Sequence, residues 1–144
     1  MKVARILDEK GHEVVTVSAG DTVAGALRLL VRHGIGSLVV MEGERITGII
    51  TERDILRLAD SDPTSLGGTT VAETMTKEPI VASATDDVAQ LMKVMTRNRV
   101  RHLPVVHDGS LRGIVSIGDL VNAVRTDAEA ENHHLRAYVR GAYG

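Results

Sequence analysis

Two short stretches carry side chains that could seat a small anionic ligand. They are Gly48-Ile49-Ile50-Thr51-Glu52-Arg53-Asp54-Ile55 and Gly113-Ile114-Val115-Ser116-Ile117-Gly118-Asp119-Leu120. In each, an apolar strand end runs into a hydroxyl residue, and an aspartate follows three positions later. Thr51 and Ser116 suit a helix N-cap, where a side-chain oxygen accepts a free backbone N–H of the first turn. Free amides and the positive end of the helix dipole make the same place an anion site. An aspartate one turn in would repel phosphate but can accept hydrogen bonds from a ribose diol. Hydroxyl for phosphate and carboxylate for sugar form a nucleotide-shaped pattern, and it occurs twice. Taken singly, the same residues also read as ordinary helix caps.

The elements that must position these residues are themselves repeated. Residues 15–58 overlay residues 80–123 without a gap, with Ser18/Ser83, Asp21/Asp86, Arg32/Arg97, Leu38/Leu103, Gly48/Gly113 and Asp54/Asp119 among the identities. Val14–Val17 and Ile80–Ala82 predict short strands, and Asp21 and Asp86 are placed to begin helices. Val23, Ala26, Leu27, Leu30 and Val31 define one buried helix face, and Val88, Leu91, Met92 and Met95 repeat it. Gly34 ends the first helix; Arg99 holds the matching place in the second. Hairpins follow, Ile35–Met41 to Arg45–Ile50 and Val100–Val106 to Leu111–Val115, and a closing helix starts after Thr51 and after Ser116.

The fold class this predicts is α/β (α+β). Each unit is β-α-β-β-α with a small mixed three-stranded sheet, and the two pack by pseudo-twofold symmetry because neither can cover its sheet alone. The first unit spans residues 1–59, with Val3–Leu7 leading into it. Residues 60–70 form a linker. The second unit, led by Val71–Met75, spans residues 71–126, and residues 127–144 form a tail. There Leu135, Tyr138 and Val139 predict an amphipathic helix that either caps its own subunit or clasps a second one.

Composition narrows the function. The chain has 144 residues, 43% hydrophobic and 25% charged, with a net charge of −2 and no cysteine. Disulfides, thiol catalysis and cysteine-based zinc sites are therefore excluded. The two aromatic residues, Tyr138 and Tyr143, lie at the C-terminal end, so the core must be aliphatic and no ring in the body can stack on a base. The charge balance supplies no reason to bind nucleic acid or an anionic membrane. The N-terminus lacks the apolar run of a signal peptide and no stretch reaches membrane-spanning length, which predicts a cytoplasmic protein. Gly34-Ile35-Gly36 does not extend to a dinucleotide-binding glycine loop, and there is no phosphate loop with a following lysine. His133 and His134 are neighbours on a helix and point too far apart to chelate together, so no metal site is expected.

The doubled Gly-aliphatic-x-Ser/Thr-x-x-Asp, the strand Arg101-His102-Leu103-Pro104-Val105-Val106 and the entry Met75-Thr76-Lys77-Glu78-Pro79 resemble the tandem cystathionine-β-synthase (CBS) domain pair, of the small stand-alone type. The likeness runs from Val3 to about Arg125. It implies a non-enzymatic regulatory module that binds adenine nucleotides (AMP, ADP or ATP, with magnesium where ATP needs it), or NAD or S-adenosylmethionine as some stand-alone members do, in clefts between the units. It further implies a disc-like homodimer and a regulated partner protein. Carried over to this chain, one cleft would combine Ile49, Thr51, Arg53 and Asp54 with Pro79, Ile80, Val100, Arg101 and His102. The other would combine Ile114, Ser116, Gly118 and Asp119 with Val14, Val15, Ile35, Gly36 and Ser37. Aspartate would serve the ribose, Thr or Ser and the helix start the phosphate, and aliphatic side chains with backbone amides the adenine. Because Arg53 and Arg101 are replaced by Gly118 and Gly36, the first cleft should bind more tightly. A weak nucleotide hydrolase using Asp54 or a bound metal, and a structural adaptor with degenerate pockets, are the alternative functions.

Overall fold

The computed structural model describes the backbone of residues 1–143 and the side chains of residues 1–132. The first unit runs β1 (Thr16–Val17), α2 (Val23–His33), β2 (Ser37–Glu42), β3 (Arg45–Thr51) and α3 (Glu52–Ser61), preceded by α1 (Val3–Lys10). The second runs β5 (Ala82–Ser83), α5 (Val88–Asn98), β6 (His102–His107), β7 (Ser110–Ser116) and α6 (Ile117–Tyr143), preceded by α4 (Val71–Thr74) and β4 (Thr76–Lys77). In both units the first strand is parallel to the second and the hairpin partner is antiparallel. A register shift falls at Val40/Met41 in one hairpin and at Val105/Val106 in the other, so even the irregularity is repeated.

Several details differ from the sequence reading. The first sheet has four strands, because β4 joins the edge of β3 through Gly48↔Lys77 and Ile49↔Thr76; the second has three. Asp21 and Asp86 do not cap helices; each closes the turn before one, accepting from the backbone N–H of Ser18 and Ser83 at 3.0 and 2.8 Å. The N-caps are Thr22, which accepts from Gly25, and Asp87, which makes no side-chain cap bond. The helix α3 takes in Asp60 and Ser61, so the linker loop begins at Asp62, and it is tethered: Val23 and Ala24 donate to the carbonyls of Thr69 and Leu66, and Leu66 packs on the first core. The closing helix of the second unit and the tail helix are one element, α6. Leu135, Tyr138 and Val139 lie outside the described side chains.

There are two aliphatic cores, and each borrows its last layer from the other half of the chain. Val3, Ile6 and Leu7 of α1 are buried with Val88, Leu91, Met95, Leu103, Val115 and Leu120 of the second unit. Val71 is buried with Val23, Leu30, Leu38, Ile50 and Ile55 of the first, with Met75 packed beside it. Each lead-in segment therefore packs on the copy it does not precede. The backbone contacts repeat too: Val3 and Ala4 donate to Asp86 and Ala84, while Val71 and Ala72 donate to Asp21 and Ala19. This exchange explains the motif glycines. A Cβ on Gly48 would lie 2.5 Å from Met75 Sδ and 2.8 Å from the Thr76 carbonyl oxygen, and one on Gly113 would lie 2.7 Å from a Leu7 methyl. Only a residue without a side chain lets the lead-in approach so closely. Among the described residues no helix is long and apolar enough to cross a membrane.

Candidate functional site

The hydroxyl and the aspartate of each motif form a reciprocal cap. Thr51 Oγ1 accepts from the Asp54 N–H at 3.3 Å, while Asp54 Oδ2 accepts from the Thr51 N–H at 2.9 Å. The Thr51 hydroxyl also donates to Asp54 Oδ2 at 3.1 Å. Ser116 and Asp119 repeat the arrangement at 3.1 and 2.8 Å. Caps of this type satisfy two orphan backbone donors at once. The ordinary-cap reading of these residues is therefore correct as far as it goes. Capping engages Oδ2 of Asp54 and leaves its Oδ1 without a hydrogen bond among the described residues, so a carboxylate oxygen stays available to a ligand.

Beside the first cap is a cleft of about 460 Å³. Ile49, Thr51, Arg53 and Asp54 line one wall; Pro79, Ile80, Val100, Arg101 and His102 line the other. All nine residues assigned to this cleft from the sequence are brought together in it. Pro79 and Ile80 precede β5, and Val100 and Arg101 precede β6, so those four sit on connecting backbone rather than on the strands predicted for Ile80 and Val100. The mouth carries exposed aliphatic surface from Ile80, whereas Ile49 at the floor is buried. Glu52, Arg57, Glu78 and Arg99 also line the cleft; of these, Arg99 is near the phosphate position already by its place in the sequence beside Arg101. Arg57 stands four residues after Arg53, one helical turn on, which is a signal the sequence does carry.

The second cap is built differently. Lys10, from the end of α1, donates to Asp119 Oδ2 at 2.6 Å and to the Ile114 carbonyl at 2.8 Å. Asp119 therefore already holds a cation. Burial alone would raise its carboxyl, but hydrogen bonds from Lys10 and Ser116 and the Lys10 charge outweigh that and hold it below the usual carboxylate value. The cavity that Asp119 lines, about 210 Å³, lies between α1 and α6; Val14, Val15, Ile35, Gly36 and Ser37 do not line it. Val14 and Val15 precede β1, Ile35 is exposed before β2, and Ser37 is buried. Gly36 faces His102 of the other copy, where a Cβ would lie 3.3 Å from the ring and 3.4 Å from Glu52 Oε1. Lys10 lies outside the repeat overlay, which is why repeat reasoning missed it.

His102 stands where the two units meet. Burial pushes its pKa below 6.5; Glu52 opposes the shift, and the Lys10 charge adds to it. The free ring is thus kept neutral near pH 7. Among the described residues no group of acidic, histidine or cysteine side chains is arranged to hold a metal ion.

The comparisons agree with this architecture. The CBS-domain family model matches the chain twice, at residues 4–61 and 71–126. The chain belongs to the CBS-domain family and carries the domain in tandem. It is 41% identical over 128 residues to the mitochondrial CBS domain-containing protein CBSX3 of Arabidopsis thaliana, covering 85% of this chain and 62% of that one. It thus spans about three-fifths of that relative's length. The CBS-domain protein ATU1752 of Agrobacterium tumefaciens superposes with a TM-score of 0.82 at 37% identity, covering 85% of this chain and 98% of the other. The CBS domain pair of protein MJ0100, solved in complex with 5′-methylthioadenosine and S-adenosyl-L-methionine, superposes with a TM-score of 0.77 at 25% identity, covering 88% and 98%.

Proposed function

We propose that this chain is a regulatory module that senses an adenine nucleotide (AMP, ADP or ATP, with NAD sharing the adenosine half) and reports its presence to a partner protein. The observation that carries the reading is the first cleft, whose walls come from both copies of the repeat. A ligand held between the copies favours the one arrangement in which both walls meet it, which is how differential affinity becomes a signal. Asp54 Oδ1 would accept from the ribose diol. Arg53, with the first turn of α3, would face the phosphate. Ile49, Pro79, Ile80 and Val100 would enclose the base, with backbone groups reading its edge. The adenosine ligands of MJ0100 support the class of ligand.

In this reading the second cleft is the weaker one. Lys10 competes for the Asp119 carboxylate that a ribose would need, and Gly118 and Gly36 supply no charge for phosphate. The function we infer is binding rather than catalysis, since the carboxylate best placed in the cleft is held in a helix cap. A homodimer joined through helices is the assembly we infer for transmitting the signal.

The test is a calorimetric and thermal-shift panel of AMP, ADP, ATP, NAD, NADH and S-adenosylmethionine. A ligand at 100 times its Kd stabilises the folded state by about 2.7 kcal/mol, a readily measured shift. If no adenosine ligand raises Tm, the sensor reading fails. Turnover of ATP or NAD by the purified protein would replace it with an enzymatic one.

A further inference from the structure

We propose that the first cleft is built for an adenosine ligand carrying two or more phosphoryl groups in a chain, and that Arg57 and Arg99, with Arg53 and Arg101, set this preference. The inference rests on the nucleotide reading above and deepens it. All four arginines line the one cleft. In the repeat overlay their counterparts are Asn122, Gly34, Gly118 and Gly36, so the other copy holds no charge at any of the four places. Among the described residues none of the four guanidiniums is within 4.0 Å of a carboxylate, so no ion pair among those residues accounts for them.

Arg99 supplies an independent observation. It ends α5 in the left-handed region, at φ 54°, where Gly34 ends α2 at φ 61°. The first copy uses the residue that adopts this conformation freely; the second uses one that does so under strain. Glu78, which lines the same cleft, is likewise a non-glycine residue at positive φ, 47°. Strained backbone gathered around one cleft marks a site where the side chains matter more than local comfort. A guanidinium placed at that cost, beside three others, matches phosphate oxygens in bidentate fashion.

Counting the donors that can hold phosphate oxygens decides the class of ligand. A single terminal phosphate offers three oxygens, enough for about one or two bidentate forks. Four guanidiniums and His102 exceed that demand, and Glu52, Asp54 and Glu78 in the same lining leave the cleft only modestly positive. A chain of phosphates fits, because it lets the guanidiniums engage oxygens along its length and keeps its charge away from Asp54. A sulfonium ligand, positively charged where the phosphates would be, is disfavoured by the same four groups.

Titration calorimetry without magnesium on the full chain tests this, using ATP, ADP, AMP, adenosine and inorganic triphosphate, with the Arg99→Gly and Arg57→Ala variants. Expected are ATP at least tenfold tighter than AMP, inorganic triphosphate at least tenfold weaker than ATP, and a steeper loss of affinity with salt for ATP than for AMP. Arg99→Gly should weaken ATP about fivefold or more and leave AMP within about twofold. Its Tm should hold or rise, because glycine relieves the backbone. Arg57→Ala should show the same ligand split without the gain in Tm. AMP binding as tightly as ATP, or Arg99→Gly weakening both alike, overturns the polyphosphate preference and leaves the nucleotide reading standing. Inorganic triphosphate matching ATP overturns both, since the cleft would then ignore adenosine. Binding by none of the five overturns both as well.

Discussion

The two caps of this molecule are built from one sequence pattern and end in opposite chemical states. Around Thr51 and Asp54 the cleft is open and lined by four arginines, and Asp54 makes no ion pair among the described residues. Around Ser116 and Asp119 the same cap is met by the ammonium of Lys10, which also takes the Ile114 carbonyl. Part of the difference lies within the repeat, where Arg53 stands against Gly118 and Arg57 against Asn122. The rest comes from what the crossed lead-ins deliver. The stretch after α4 brings Glu78 to the first cleft, and the end of α1 brings Lys10 to the second cap. A duplicated unit thus specialises through its non-capping residues and its neighbours while its capping geometry stays constant, because the helix start needs its cap whether or not a ligand is present.

The largest effect that would sharpen this comparison concerns the motif glycines. Gly48→Ala should cost about 2–3 kcal/mol and Gly113→Ala no more than about 1 kcal/mol, within the usual range for overpacking. The reason is that Gly48 abuts a backbone carbonyl, whereas Gly113 meets only the flexible end of Leu7. Denaturant midpoints measure both, and equal losses would mean that the two lead-ins pack equivalently.

Next in size is the asymmetry of the carboxylates. Asp54→Asn keeps the cap acceptor but removes the charge, and should weaken nucleotide binding about tenfold, the scale of a lost charge-assisted hydrogen bond. Asp119→Asn should change it less than twofold. If only the second substitution matters, the ranking of the clefts is reversed.

His102 provides a pH test whose sign follows from linkage. Its folded pKa lies below 6.5, so the folded state binds fewer protons than the unfolded one between that value and 6.5. Its contribution to stability is therefore complete above pH 6.5 and declines as pH falls toward the folded pKa. A bound phosphate acts the other way, favouring the imidazolium, so the complex takes up a proton and affinity should rise about threefold as pH falls through the bound-state pKa. His102→Asn should flatten both dependences once the ligand's own titration is subtracted. A wild-type binding profile identical to that of the variant would remove His102 from the phosphate site.

The smallest expected change belongs to Lys10→Met. Asp119 should then titrate closer to its ordinary value in a carboxylate NMR titration. The stabilisation that Lys10 confers on the charged carboxylate is present above pH 3.8 and lost as pH falls through the folded value, so the variant should be less sensitive to acid. The calorimetric stoichiometry should move from one nucleotide per chain toward two. A stoichiometry that stays at one would mean the missing arginines, not the lysine, silence the second cleft.

Much of this was legible in the chain. The caps at Thr51 and Ser116 follow from residue types that compete for local backbone donors, and the aliphatic periodicity placed α2 and α5 to within a residue or so. The nine residues of the first cleft could be named in advance because the repeat, together with the family likeness, says which strand ends face which cap. Legibility failed where partners were distant in sequence. Nothing local in Val3–Lys10 says that Leu7 will sit on Gly113 or that Lys10 will reach Asp119, because helical periodicity declares a buried face without declaring what buries it. The fourth strand, β4, is two residues long and exists only because β3 offers an edge. Nor does symmetry between the copies say that His102 will pack against Gly36.

By itself, then, the order of residues determined the repeat, the caps, the aliphatic cores and the chemistry available to a ligand, since each of these depends on side chains a few positions apart. Tertiary structure decided which half lends its lead-in to which core, and with it which aspartate is held by a lysine and which, among the described residues, has no cation. Those choices turn on contacts between distant parts of the chain, where charge and shape are settled by packing and not by spacing along the backbone.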